Sequence, residues 1–229
     1  MSDKKRADVE FDGHALGYVR DMENALPGVF AEGDYFSRYK VELVAARCAT
    51  RQVRRVLDFG CGIGLALSHL VDHLPAAEVW GYDVSHVSLD HARLRAPAAR
   101  FVSAIEDMQK AYFDLIFVAN VFHHIPLEAR LSAMRTCRDL LADSGSIFLF
   151  EHNPYNPVTR WVFERCPFDE DAEMLKRRAA IALAEQAGLR VVDKRYTLFF
   201  PKPLAVFRKL EPMISWLPLG AQYCVELAK

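Results

Sequence analysis

Val56-Leu57-Asp58-Phe59-Gly60-Cys61-Gly62-Ile63-Gly64 decides how this sequence folds. A short apolar strand runs into an acid, and glycines follow at alternate positions. Glycine lets the chain turn tightly and leaves room for a ligand against the backbone. Leu65 to Leu74 then reads as a helix whose first turn presents unpaired N–H groups. The spacing is not the dinucleotide fingerprint Gly-x-Gly-x-x-Gly, which needs glycine where Leu65 stands. Asp58 at the mouth of the turn would also repel a pyrophosphate. A carboxylate there suits a cationic or hydroxyl-bearing ligand.

Working outward, Glu78 to Asp83 reads as a second strand that ends in an acid. A carboxylate at that strand end can take both hydroxyls of a ribose. The blander reading of Asp83 is a cap of the following helix, Ser85 to Arg95, which Ser85 is itself placed to cap. Further strands are expected over Arg100–Ser103, Phe113–Asn120 and Ser146–Phe150, with a helix over Leu127–Leu141 stopped by Ser144-Gly145. Strands alternating with helices of this length imply parallel crossovers, hence an α/β, doubly wound, mostly parallel sheet. The last third departs from that rhythm. A helix over Glu173–Ala187 ends at Gly188, and strands over Leu189–Phe200 and Ala221–Ala228 suggest an antiparallel hairpin at the sheet edge. Upstream, residues 14–50 read as helices broken at Gly28 and Gly33, with Tyr35, Phe36, Tyr39, Leu43 and Ala46 on one apolar face.

These residues together resemble the class I S-adenosylmethionine-dependent methyltransferases of small-molecule type. The resemblance rests on the Asp58–Gly64 turn, on Asp83, and on Phe113-Asp114-Leu115-Ile116 leading to Asn120. It spans roughly residues 53–150, and the ending over 173–228 also matches. It implies a seven-stranded Rossmann-like sheet with the last strand antiparallel, N-terminal helices and a lid insertion. It implies S-adenosyl-L-methionine as methyl donor and S-adenosyl-L-homocysteine as product. The turn (Asp58, Phe59, Gly60, Cys61, Gly62, Gly64) would then face the methionine end, with Asp83 and Val84 at the ribose. Asn120 and Val121 would border the cofactor. Ala104 and Ile105 would flank the adenine, with Glu106 or Asp107 toward its amine. Lys40 is a candidate for the methionine carboxylate. On this reading residues 1–229 form one methyltransferase domain. It divides into a helical cap (1–52), the cofactor-binding core (53–150), and lid segments with the closing helix and strands (151–229).

Ligands of open α/β sheets bind beyond the carboxyl ends of the strands. That rim holds His123 and His124 in one loop and His152 in the next. Histidine suits the removal of a proton from a hydroxyl acceptor, so all three are candidate catalytic residues, against the blander reading of packed loop residues. No metal is expected there, because no acidic ligand set with suitable spacing accompanies them. Residues 151–172 form a long connection in which Trp161, Phe163 and Phe168 are candidate pocket walls; the alternative is a short helix with buried rings. The apolar, proline-rich stretch 196–219 reads as a lid over the cofactor cleft or a dimer contact, with peripheral membrane contact as the other reading.

Composition narrows the remaining classes. Among 229 residues, 29 Lys and Arg balance 30 Asp and Glu, which gives no bulk electrostatic footprint for nucleic acid. Five scattered cysteines and a polar N-terminus fit reduced thiols in a cytoplasm. No apolar run of about 18 residues calls for a transmembrane helix. The expected function is therefore methyl transfer to a small-molecule or lipid-like acceptor, by a monomer or homodimer. A nicotinamide-dependent oxidoreductase and a non-catalytic binding subunit of the same fold are the alternatives.

Overall fold

The computed structural model describes residues 33–166 and 169–229. The expected helix over residues 14–32, Tyr18 and Phe168 lie outside the described residues.

In chain order the elements are α1 (Gly33–Cys48), β1 (Arg55–Phe59), α2 (Leu65–His73), β2 (Glu78–Tyr82), α3 (His86–Arg95) and β3 (Arg100–Val102). Then follow β4 (Phe113–Ala119), α4 (Leu127–Leu140), β5 (Leu141–His152), α5 (Pro157–Phe163), α6 (Arg177–Gln186), β6 (Arg190–Thr197), α7 (Glu211–Ile214) and β7 (Gln222–Ala228). The seven strands form one sheet in the order β3-β2-β1-β4-β5-β7-β6. β7 runs antiparallel to both neighbours, and the pairs from β3 to β5 are parallel. The expected α/β class, sheet direction and edge hairpin are all present.

The sheet is covered on both faces, so its central strands are apolar throughout rather than alternating. Successive side chains still point to opposite sides. Leu57, Ile116, Val118 and Ile147 pack with Met134 and Cys137 of α4 and Ala180 and Ala184 of α6. Val56, Leu115, Phe117 and Phe148 pack with Val41 and Val44 of α1, Leu67 and Leu70 of α2, and Leu89 of α3. Phe117 and Leu57 are fully buried. Burying such a side chain contributes roughly 1.5–3 kcal/mol.

Local chemistry sets the element ends. Ser85 Oγ accepts the Ser88 N–H at 3.0 Å and starts α3 as expected. Ser144-Gly145 does not separate a helix from a strand. α4 passes directly into β5, and the β4–β5 register jumps from Phe113–Leu141 to Leu115–Ser146, so residues 142–145 bulge within the strand. The buried face of α1 also differs from the expected one. Lys40, Val41, Val44 and Cys48 are buried, whereas Ala46 is exposed. The aromatic residues pack sideways instead, and Tyr39 OH donates to Glu211 Oε2 at 2.8 Å. Buried Glu211 also accepts the N–H groups of Leu198, Phe199 and Phe200, which pins the proline-rich segment beside α1.

Candidate functional site

The glycine turn is built against two neighbours. Gly60 and Cys61 both donate their N–H to Tyr82 O, at 2.8 and 2.9 Å, which ties the turn to the end of β2. Gly60 has φ +75°, and a Cβ there would stand 2.6 Å from Val121 Cγ2. The turn can meet the loop after β4 only because position 60 has no side chain. Gly62 also has positive φ, +52°, but nothing lies within 4 Å of where its Cβ would be. Its N–H donates to Asp83 Oδ2 at 2.8 Å, and Ser85 N–H donates to Asp83 Oδ1 at 2.9 Å. Asp83 therefore stiffens the turn, starts the next helix, and stands on a cavity wall.

That cavity, of about 670 Å³, opens at the carboxyl ends of β1, β2 and β4. A space of this size suits a nucleoside-sized ligand. Its walls include Asp58 through Gly62, Asp83, Val84, Ile105, Asn120 and Val121. Lys40 and Ser37 enter from α1, and Ser132, Ala133 and Thr136 from α4. Of the residues expected at the cofactor, four do not line this cavity. Gly64 packs on Ala92 of α3, where a Cβ would lie 3.0 Å away. Ala104 is off the cavity wall, and Glu106 is exposed on a short 3₁₀ turn, as is Asp107. Among the described residues, none of 196–219 lines the cavity.

Two charged residues of the cavity wall, Asp58 and Lys40, are buried, whereas Asp83 is half-buried. Burial, with Asp83 nearby, pushes the Asp58 carboxyl up to about 8, against the opposing pull of Lys40. Burial lowers the Lys40 ammonium to about 8, against the attraction of Glu151 and Asp58. Asn120 adopts φ +58°, and its Oδ1 is buried with no hydrogen-bond partner among the described residues.

The histidines form a second, adjoining cluster. Glu151 Oε1 accepts the N–H groups of Val121 and Phe122 at 3.1 and 2.7 Å, while its Oε2 lies 2.6 Å from His123 Nδ1. His123 Nε2 and His124 Nε2 lie 3.4 and 3.5 Å from Asp169 Oδ1. The His123 ring is also 5.1 Å from that of His152, and Phe163 packs edge-on against both rings. Burial opposes a proton on His123, yet the two carboxylates lift it to about 9. Burial and the His123 charge push His124 down to about 3 and His152 to about 4. Burial would raise the Glu151 carboxyl, but His123 holds it below the ordinary carboxylate range.

Only His124 of the three lines the cavity. His123 is held between two carboxylates, and His152 sits behind it. The sequence reading missed the acids, Glu151 and Asp169, and the clamp that positions them. Arg130 on α4 is buried and donates to the carbonyls of Ile125, His123 and Glu173. Glu173 N–H also donates to His123 O at 3.0 Å, which fastens the segment after Asp169 to the histidine loop. Of the expected aromatic walls, Trp161 is an exposed residue of α5 rather than a pocket residue.

Residues 57–147 match the family described as a methyltransferase domain. That match takes in the glycine turn and Asp83, residues that carry the resemblance to class I S-adenosylmethionine-dependent methyltransferases. The chain is 30% identical over 174 residues to trans-aconitate 2-methyltransferase of Rhodopseudomonas palustris (strain BisB18). That alignment covers 72% of this chain and 59% of the relative. It is 27% identical over 171 residues to fatty-acid O-methyltransferase of Mycolicibacterium smegmatis, covering 71% and 60%. The chain thus spans about three-fifths of the length of these two curated relatives. The solved structure of magnesium protoporphyrin IX methyltransferase from Synechocystis PCC 6803, with bound SAM, superposes with a TM-score of 0.66 at 15% identity. It covers 100% of this chain and 98% of that one. At that identity the likeness bears on fold alone, and it is the class I methyltransferase fold.

Proposed function

We propose that the protein transfers a methyl group from S-adenosylmethionine to a small-molecule or lipid-like acceptor. The observation that carries this is the cradle at the glycine turn. It combines the open space at Gly62, the anchored carboxylate of Asp83, and the unpartnered Asn120 Oδ1. A buried acceptor atom without a donor is costly, by about 1–3 kcal/mol, and a ligand ammonium relieves it. The donor set therefore fits the cofactor: Asp58 and Asn120 for its ammonium, Lys40 for its carboxylate, Asp83 for its ribose, and Val84 and Ile105 for the base.

When bound, S-adenosylmethionine supplies an activated methyl on a sulfonium sulfur. The chain's own residues hold that donor, exclude water and align an acceptor, since in-line transfer depends mainly on placement. His124 presents a neutral imidazole on the cavity wall, suited to accept a hydrogen bond from a protic acceptor. Its low affinity for protons makes it a weak base, so orientation is the role assigned to it. His123 and His152 act behind it as positioning residues.

Among the described residues no helix is long and apolar enough to cross a membrane. Exposed Val206, Met213 and Trp216 support peripheral contact of 196–219 with a lipid surface that carries such an acceptor. The free cysteines at 48, 61, 137, 166 and 224 support a reducing, cytoplasmic setting. The balanced charge supports a small molecule over nucleic acid as partner. A thermal melt with S-adenosylhomocysteine and, separately, with NADH tests the reading. A ligand at a hundredfold its Kd stabilises by about 2.7 kcal/mol, which is roughly 5–10 °C for a chain of this size. The homocysteine product is expected to raise Tm and NADH to leave it unchanged. The reverse pattern would favour an oxidoreductase, and no shift with either would favour a binding subunit.

A further inference from the structure

The histidine cluster has a feature that methyl transfer does not require. His123, His124 and Asp169 converge from two distant stretches of chain, with one ligand atom of each within 4.8 Å of the others, and both histidine Nε2 atoms face Asp169 Oδ1. The two nitrogen–oxygen separations, 3.4 and 3.5 Å, are longer than an ordinary N–H···O bond of about 2.7–3.2 Å. They match the edge of a tetrahedron around an ion whose ligand distances are about 2.0–2.2 Å, which is roughly 3.4 Å.

We infer that His123, His124 and Asp169 form a binding site for a divalent transition-metal ion of the zinc type. Two imidazoles and one carboxylate are a donor set that such ions prefer, and three protein ligands leave a position open. The surroundings are those of a ligating histidine. Glu151 Oε2, 2.6 Å from His123 Nδ1, is placed to accept the N–H of that nitrogen, so an ion that displaces the Nε2 proton would meet the lone pair there. Arg130 and the Glu173 N–H hold the two ligand-bearing segments together by bonds to the His123 carbonyl. The ligand side chains are 1%, 14% and 10% exposed, so an ion there is largely shielded from water. His124 also lines the cavity, so an ion there would stand at the cavity wall and take over from the His124 imidazole the contact with an acceptor oxygen or nitrogen. The expectation of no metal rested on the lack of an acid near the histidines. Asp169 removes that ground: it lies 45 residues from His124 in sequence and beside it in space.

The test is titration of the chelator-treated full chain with Zn²⁺ by calorimetry, and with Co²⁺ by visible absorption. One saturable equivalent of Zn²⁺ is expected, with a Co²⁺ d–d spectrum free of thiolate charge transfer. Asp169→Asn and His124→Ala should each weaken Zn²⁺ binding by about tenfold or more, and Cys166→Ser should leave it unchanged. Melting curves and S-adenosylhomocysteine binding, measured on the same samples, report folding and the cofactor site independently of the ion. Absence of saturable binding in the wild-type chain would overturn the assignment. So would equal affinity in Asp169→Asn and His124→Ala, or a thiolate band in the Co²⁺ spectrum. Loss of cofactor binding with the ion retained would count against the methyltransferase reading and not against this one.

Discussion

The cavity wall at the glycine turn and the histidine cluster adjoin each other but are built in opposite ways. The wall is made from a contiguous stretch, 58–62, and the end of the next strand at Asp83, joined largely by backbone bonds. The cluster is made of side chains from the loop after β4, from the end of β5, from Asp169, and from a clamp on α4, joined by buried charge. A site made of backbone can recognise a constant ligand from a short motif. A site made of converging side chains depends on the whole fold, and there a chain can change what it accepts without disturbing the donor.

The sharpest way to break the comparison is at the glycines. Gly60→Ala would force a Cβ into Val121 at positive φ, and strain with overpacking should cost roughly 2–5 kcal/mol in urea denaturation. Gly62→Ala meets only open space, so its stability cost should be limited to backbone strain, about 1–3 kcal/mol. Its relative effect on S-adenosylhomocysteine affinity should be the larger of the two. Equal stability losses in both variants would mean that the turn is not packed as described.

Arg130→Ala probes the other region. Three carbonyls lose a charged donor, and stability should fall by about 2–3 kcal/mol. Cofactor affinity should change far less than stability, because the clamp serves the histidine loop. A calorimetric affinity that fell as steeply as stability would show the two regions to be one unit.

A smaller effect, per unit of pH, comes from Asp58. Its folded carboxyl is raised from 3.8 to about 8 by burial and Asp83. Between those values the cofactor-free native state keeps a proton that the unfolded chain releases. The stabilisation is fully present below pH 3.8 and is lost as pH rises through about 8, with a slope of at most about 1.4 kcal/mol per pH unit. Asp58→Asn should flatten that fall. Lys40, lowered from 10.5 to about 8, acts the other way above pH 8, where the unfolded chain holds the extra proton. Denaturation midpoints from pH 5 to 8 that match in wild type and Asp58→Asn would contradict the buried, protonated carboxyl.

The same contrast explains what was legible in the sequence. The strand–turn–helix around Gly60 and the acid at Asp83 are local, so residue order alone places them. The sheet direction follows from alternation of strands and helices. Lys40 broke the apolar pattern of α1, which is why the buried face, through Lys40, Val41, Val44 and Cys48, was read from the aromatic side instead. Three histidines were expected on neighbouring loops. Which of them faces the cavity, and that Asp169 and Glu151 join them, depends on long-range packing that no spacing encodes. The α4 residues Ser132, Ala133 and Thr136 were missed for a related reason: they are small and mixed in polarity, and they carry no chemistry until a cavity forms beside them.

The account rests on Asp83 and the turn it braces. Calorimetric titration of S-adenosylhomocysteine into the wild-type chain and into Asp83→Ala tests this most directly. The prediction is one-to-one binding by the wild type, weakened by roughly 1.5–3 kcal/mol in the variant through loss of charged hydrogen bonds, about a ten- to hundredfold change. Equal affinity in the two proteins, or no binding by the wild type, would contradict it.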